Sequence, residues 1–203
     1  MPRPANPHLK RDLLVAATRL LDAAGEPTFT VKDLCAEVDY SVTAAYRAFR
    51  SRAHLLQALQ LHLFEGLLAA LVSEPAPTVV AEVRSVGRRF MAWADAHPAR
   101  YRLMFQSIDA EVLLAPAEQE LARAPLRYLE ALLARGCATG ALQNVDPQAT
   151  AVMLFASLHG LISLHLAGRL DPATVADPLS FYDQWADQWL ATLSLAPDHG
   201  ESQ

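Results

Sequence analysis

Residues 28–52, TFTVKDLCAEVDYSVTAAYRAFRSR, constrain the fold more than any other stretch, because they hold two short helical repeats around a break. Thr30 has the chemistry of a helix N-cap, since its hydroxyl accepts from a free backbone N–H one turn in. Val31, Leu34, Cys35 and Val38 follow at helical spacing and give the first helix one buried face. Asp39-Tyr40-Ser41 interrupts the pattern. Asp enters the left-handed backbone region more readily than most non-glycine residues, so Asp39 fits the turn. Ser41 caps a second helix in which Ala45, Ala48 and Phe49 face inward. Thr43, Ala44, Tyr46 and Arg47 are then left outward. Two short helices at a steep angle, with a small polar and aromatic outer face on the second, fit a helix-turn-helix.

The rest of the chain reads as helix, because no stretch sustains strand alternation with β-branched residues. A first helix, Leu9 to Ala24, carries the stripe Leu13, Leu14, Ala17, Leu20 and Leu21 and closes at Gly25. Ser51 caps a long helix from Arg52 to about Leu71, which we read as the lever between head and body. Ser73-Glu74-Pro75-Ala76-Pro77 ends it and marks a domain boundary. Further helices run from Thr78 to about His97, over Ala99–Gln106, and from Leu113-Leu114-Ala115-Pro116 to about Cys137 with a bend at Pro125. Two more start at Asp146-Pro147 and Asp177-Pro178 and reach about Ala167 and Leu195. Residues 1–8 are proline-rich and read as mobile, and 197–203 as a polar tail. The fold class is therefore all-α, with about nine helices. A three-helix helix-turn-helix head (1–50) and a connecting helix (51–74) precede a helical ligand-binding and dimerisation body (75–203).

Two parts of the chain carry a family resemblance. Ala24-Gly25, Thr28-Phe29-Thr30-Val31-Lys32-Asp33-Leu34 and Tyr46-Arg47-Ala48-Phe49-Arg50-Ser51-Arg52, followed by an apolar helix from His54, resemble the DNA-binding domain of TetR-family transcriptional regulators. Tyr46, Phe49 and Arg52 fill the pattern's key places, while Asp39 stands where glycine is common and Arg50 where proline or lysine is frequent. Trp93, His97-Pro98, Tyr101-Arg102-Leu103-Met104-Phe105, and Leu158-His159-Gly160-Leu161 through Gly168-Arg169-Leu170 are similar to the C-terminal domain of one subgroup. The resemblance implies a homodimer whose last two long helices form a four-helix bundle with a second subunit. The residues agree on their own terms. The helix 147–167 is apolar on nearly every side, so it is expected to be buried in the core and against a partner.

Charge has the matching sign. Residues 1–56 hold eight Lys or Arg against six Asp or Glu, about +2, so the remainder is about −7 of a total of −5. We find no charge-free apolar run of the ~18 residues a membrane helix needs, and expect no membrane partner. Pro2, Arg3, Pro4, Asn6 and Pro7 occupy the place of a signal peptide's apolar core, so we expect a cytoplasmic chain. Cys35 and Cys137 are far apart, with no metal spacing, and read as two buried thiols in a reducing compartment.

A helix laid in the major groove puts its N-terminal residues at base edges. Thr43 then meets a thymine methyl or a base acceptor, Ala44 permits close approach, and Val42 lies beside them. Arg47 reaches a guanine edge or a phosphate, and Tyr46 and Arg52 hold phosphate. Thr30 and Ser41 cap helices and offer N-terminal amides to phosphate. The expected ligand set is Phe90, Trp93, Met104, Phe105, Tyr128, Phe155 and His159, for an apolar or weakly polar effector. The expected dimer interface is Leu158, Ile162, His165, Phe181, Trp185 and Trp189. Catalytic constellations are missing. His54 and His62 lack a third metal-type ligand, His159 and His165 point apart, and there is no glycine-rich phosphate loop or G-x-S-x-G. We expect no metal, no cofactor and no enzyme. The leading reading is a ligand-responsive regulator, a repressor that binds a palindromic operator in double-stranded DNA. The alternative is an all-helical enzyme or lipid-binding module whose first three helices are only structural.

Overall fold

A computed structural model of the chain describes residues 8–72, 76–105, 114–143 and 145–193. Among these residues it holds nine α-helices and no strand. They are α1 Leu9–Ala24, α2 Val31–Val38, α3 Val42–Ala48, α4 Arg52–Leu71, α5 Val79–Ala96, α6 Pro98–Phe105, α7 Pro116–Ala138, α8 Pro147–Leu166 and α9 Pro178–Leu193. The proline-rich start, Gln106, Leu113, the polar tail and most of the Ser73–Pro77 boundary lie outside the described residues.

Local chemistry sets the helix ends. Gly25 takes φ 78° and returns its N–H to the Leu21 carbonyl, which stops α1. Thr30 and Asp33 make a reciprocal capping box at the start of α2. The Asp33 N–H donates to Thr30 Oγ1 at 3.3 Å, and the Thr30 N–H donates to Asp33 Oδ2 at 2.7 Å. These bonds hold the Asp33 carboxyl below its usual range. Asp39 adopts φ 53°, ψ 43° and closes α2. Ser51 accepts the His54 N–H at 3.3 Å at the start of α4, and Asp146 accepts the Gln148 N–H at 2.9 Å at the start of α8. Pro125 lies inside α7, which continues through it.

By contact the chain groups into two units. One comprises Met1–Gly66 and His97–Ala122, the other Leu67–Ala96 and Arg123–Gln203. The sequence assigns all of 75–203 to one body, but α6 groups with α1–α3. Arg100 donates to both oxygens of Asp22 at 2.9 and 2.6 Å, a two-pronged pairing that fixes α6 on the end of α1. Gln60 donates to the Leu103 carbonyl at 2.7 Å, and Phe64 meets Phe105 edge-on at 5.5 Å. Leu13, Leu21, Leu34, Cys35, Ala45 and Phe49 form the core among the first three helices.

In the second unit α5 packs against α8 and α9. At their tightest point the Tyr182 ring lies on the bare backbone of Gly87, and its hydroxyl donates to the Arg84 carbonyl at 3.0 Å. Outside this contact Arg84 pairs with Asp187 at 2.8 Å and Arg88 pairs with Asp183. These pairs are partly exposed and add little stability singly.

One expectation from the sequence is corrected here. The helix α8 spans 20 residues without a single Asp, Glu, Lys or Arg, and one 18-residue window has a mean hydropathy of 1.6. By length and composition it is apolar enough to cross a membrane. Its scattered Thr150, Ser157, His159, Ser163 and His165 hide the run from a reading that looks for unbroken apolar residues. Thr150, Ala151, Leu154, Leu158 and Ile162 are buried on α5 and α9. Only 28% of that window is buried, however, and Met153 is 65% exposed, Val152 48% and Leu164 45%.

Candidate nucleic-acid interface and interior cavity

The outer face of α3 is presented by a rigid frame. Ala45 and Phe49 anchor its inner side in the core, and Ala44 and Ala48 are half-buried at the margins. Ser41 caps the helix, accepting the Ala44 N–H at 3.2 Å. Val42, Thr43, Tyr46 and Arg47 are exposed, with Tyr46 at 51%. Neither Arg47 nor Arg50 is paired with another described residue, and Lys10 from α1 lies over the Phe49 ring at 5.7 Å. Tyr40, in the turn, donates from its hydroxyl to Asp12 at 2.8 Å, which ties the turn to α1 and pushes the phenol pKa up. The result is a helix whose outer face carries small residues at its N-terminal end, one exposed aromatic ring and free guanidinium groups, the chemistry that major-groove entry uses.

Two of the residues expected at DNA are occupied elsewhere. The Arg52 guanidinium donates to the carbonyls of both Pro27 and Phe29 and lies 5.8 Å from the Phe29 ring centre. Two of its donors hold the loop between α1 and α2, while the residue itself is exposed. The Thr30 hydroxyl and N–H both donate to the Asp33 carboxylate, which occupies the donors expected at phosphate. Neither contact is visible in helical spacing, because both depend on where the loop returns against α2 and α4.

The second unit contains a cavity of about 50 Å³ among α4, α5, α7, α8 and α9. Phe90 and Phe155, from the expected ligand set, line it, with their rings stacked at 5.9 Å. Trp93, Tyr128 and His159 do not line it, and Met104 and Phe105 belong to the other unit, where Phe105 packs on Tyr101 at 4.9 Å. Burial holds the His159 pKa below the usual imidazole range, and its ring stacks on Phe155 at 5.6 Å. Three residues expected at a subunit seam, Leu158, Trp185 and Trp189, also line the cavity; the two tryptophans are half-buried and their indoles stack at 6.0 Å. Ile162 is buried within the unit, His165 is hydrogen-bonded to Asp95 at 2.9 Å, and Phe181 is exposed. The exposed large apolar residues of α8 missing from the expected interface are Val152, Met153 and Leu164. Periodicity does not separate them, because α8 is apolar on all sides. Among the described residues no group of three His, Cys, Asp or Glu stands close enough to hold a metal.

The family model described as tetracyclin repressor-like, C-terminal domain, matches residues 83–188, and that described as bacterial regulatory proteins, tetR family, matches residues 13–59. No curated protein matches the chain. Solved structures resemble it along nearly its whole length. A protein of unknown function from Rhodococcus sp. RHA1 is 24% identical with a TM-score of 0.78, covering 96% of this chain and 100% of that one. A TetR-family transcriptional regulator from Pectobacterium atrosepticum is 22% identical with a TM-score of 0.69, covering 94% and 96%. The TetR family transcriptional regulator PfmR from Thermus thermophilus is 21% identical with a TM-score of 0.60, covering 88% and 97%. At these identities the likeness carries the fold.

Proposed function

We propose, for a chain that belongs to the tetR family of bacterial regulatory proteins, the role of a homodimeric repressor that leaves a palindromic operator when a small apolar effector enters the second unit. The observation that carries this reading is the outer face of α3. Tyr46 is half-exposed beside the unpaired Arg47 and Arg50, on a helix whose inner face is locked into the core. An enzyme or lipid-binding module has no use for that arrangement. Val42, Thr43 and Ala44 would meet base edges, while Tyr46, Arg47 and the Ser41 cap would meet backbone phosphates. A two-fold dimer reads two half-sites about one helical turn apart or a near multiple.

The cavity supplies a route for control. Leu67 and Leu71 line it, and both lie on α4, the helix that begins at Arg52 next to α3. At about 50 Å³ the cavity is smaller than pockets that hold drug-sized ligands, so such an occupant must push its walls apart. An effector that binds the opened state better than the closed one shifts the population toward it, and α4 carries the shift.

A titration of the purified protein against the DNA flanking its own gene, repeated over a salt series, tests the DNA-binding part. Arg47→Ala should weaken binding and reduce the slope of log affinity against log salt by about one per subunit. Tyr46→Ala should weaken it at least about tenfold. Unchanged binding in both variants would take α3 off the DNA. Arg52 behaves differently on this reading. Arg52→Ala should weaken binding by loosening the loop at Pro27–Phe29 while leaving the slope alone. Arg52→Lys should not restore it, since a single ammonium does not replace a planar fork on two carbonyls and a ring. A reduced slope, or full rescue by lysine, would return Arg52 to the phosphate contacts.

A further inference from the structure

We propose that the cavity of the second unit takes an uncharged, mainly hydrocarbon molecule bearing a hydrogen-bond acceptor such as a ketone or ester, and rejects carboxylates and ammonium ions. The inference rests on the ligand-responsive reading above and specifies the chemistry of its ligand. It follows from the seventeen residues that line the cavity, which include no Asp, Glu, Lys, Arg or His. A carboxylate entering it would lose its hydration and find no counter-charge, and an ammonium ion would meet no carboxylate. Of the basic groups on α5, Arg84 pairs with Asp187 and Arg88 with Asp183 on α9, and Arg89 donates to the Leu71 carbonyl at 3.0 Å; none of the three side chains lines the cavity. His159 does not line the cavity, and its burial favours the neutral ring.

The polar inventory of the wall is short. Among the lining side chains only Tyr182, Trp185 and Trp189 carry hydrogen-bonding N–H or O–H groups. The Tyr182 hydroxyl already donates to the Arg84 carbonyl at 3.0 Å. Neither indole N–H is bonded to another described residue, and an indole N–H is only a donor. The only hydrogen-bonding groups these two lining indoles can add are uncharged donors, and the group that matches them is a neutral acceptor. Aromatic faces on α5, α8 and α9 meet aliphatic ones on α4 and α7, so ring and chain hydrocarbons are both accommodated.

The test uses the full-length protein without DNA and N-phenyl-1-naphthylamine as an uncharged fluorescent probe. Displacement is followed with 2-decanone, decanoate and decylammonium at neutral pH. The ketone is expected to displace the probe at a concentration at least about a hundredfold lower than either ion. Leu129 lines the cavity and is half-buried, so a lysine there keeps its head near water. Leu129→Lys should therefore bring decanoate to within about tenfold of the ketone, and Leu129→Trp should fill the space and abolish probe binding. Circular dichroism confirms that both variants are folded, and Leu126→Lys and Leu126→Trp replace them if either is not. Decanoate competing as well as 2-decanone in the unaltered protein would overturn the proposal. Probe binding that is indifferent to the tryptophan variants would overturn it as well. A ketone that binds as expected but does not release operator DNA would instead count against the regulatory reading and leave the chemistry of the cavity standing.

Discussion

Gly87→Ala should destabilise the second unit by about 1–5 kcal/mol, although alanine is the better helix former by roughly 1 kcal/mol. The sign is decided by a single contact. A Cβ added at Gly87 would lie 1.9 Å from the Tyr182 hydroxyl oxygen, 2.4 Å from Cζ and 2.9 Å from Cε2. No rotation about the ring axis relieves all three, and the ring is buried to 4% exposure, so the side chain as a whole must swing away. Doing so breaks the bond to the Arg84 carbonyl and leaves a buried hydroxyl short of its partner, at about 1–3 kcal/mol. Overpacking adds about 1–3 kcal/mol, and helix propensity returns about 1. For a chain of this length the melting temperature should fall by roughly 2–20 °C. In a double-mutant cycle Tyr182→Leu should relieve the clash, with a coupling of at least about 1.5 kcal/mol between the two positions. If Gly87→Ala instead raised the melting temperature, as helix propensity alone predicts, the close approach of α5 and α9 would be wrong. Gly87 and Tyr182 both line the cavity, so the same variant should also narrow the space available to an effector.

How much of this was legible beforehand follows from the range of each interaction. Thr30, Asp39, Ser41, Gly25, Ser51 and Asp146-Pro147 act on backbone groups within a few residues of themselves, and the helix ends fall where those residues predict. The outward set on α3 was legible for a related reason, since a seven-residue helix with two buried anchors has one free face. Long-range contacts were not. Nothing near Arg52 announces that its guanidinium meets carbonyls twenty-three and twenty-five residues back, and nothing near Asp12 announces Tyr40. Gly87 reads as an ordinary weak spot in a helix until Tyr182 is found on top of it. The cavity was legible as an apolar region of the second unit but not as a set of residues. Aromatic side chains at helical spacing mark a core without saying which of them borders empty space. Hence Trp185 and Trp189, expected at an interface, also line the cavity, and Met104 and Phe105 fall in the other unit, Met104 buried and Phe105 half-buried. Met153, the most exposed large apolar residue of α8, carries no mark in the periodicity, because that helix is apolar on nearly every side.

That exposed face also sets the second large effect. Met153→Asp should turn the proposed dimer into monomers, because a methionine 65% exposed in the single chain would be covered in a dimer joined through α8 and α9. Val152, Leu164 and Phe181 are the other large apolar side chains exposed on these two helices, and an interface through them would take that apolar surface out of water. A two-fold interface presents the same patch from both copies, so each carboxylate would be introduced twice and against apolar neighbours. Even a modest cost for burying an unpaired charge, about 1.5 kcal/mol per copy, sums to about 3 kcal/mol and raises the dimer dissociation constant by a factor of about 150. Sedimentation at micromolar concentration reads the change directly, and Met153→Leu should leave the protein dimeric because it keeps the apolar surface. DNA binding provides the second readout. The face of α3 is untouched by the substitution, so a single half-site should still be bound weakly, while the advantage of holding two half-sites at once is lost. A Met153→Asp protein that sediments as a dimer, or an unaltered protein that is monomeric at the same concentration, would remove this face from the interface and the paired half-sites from the proposal.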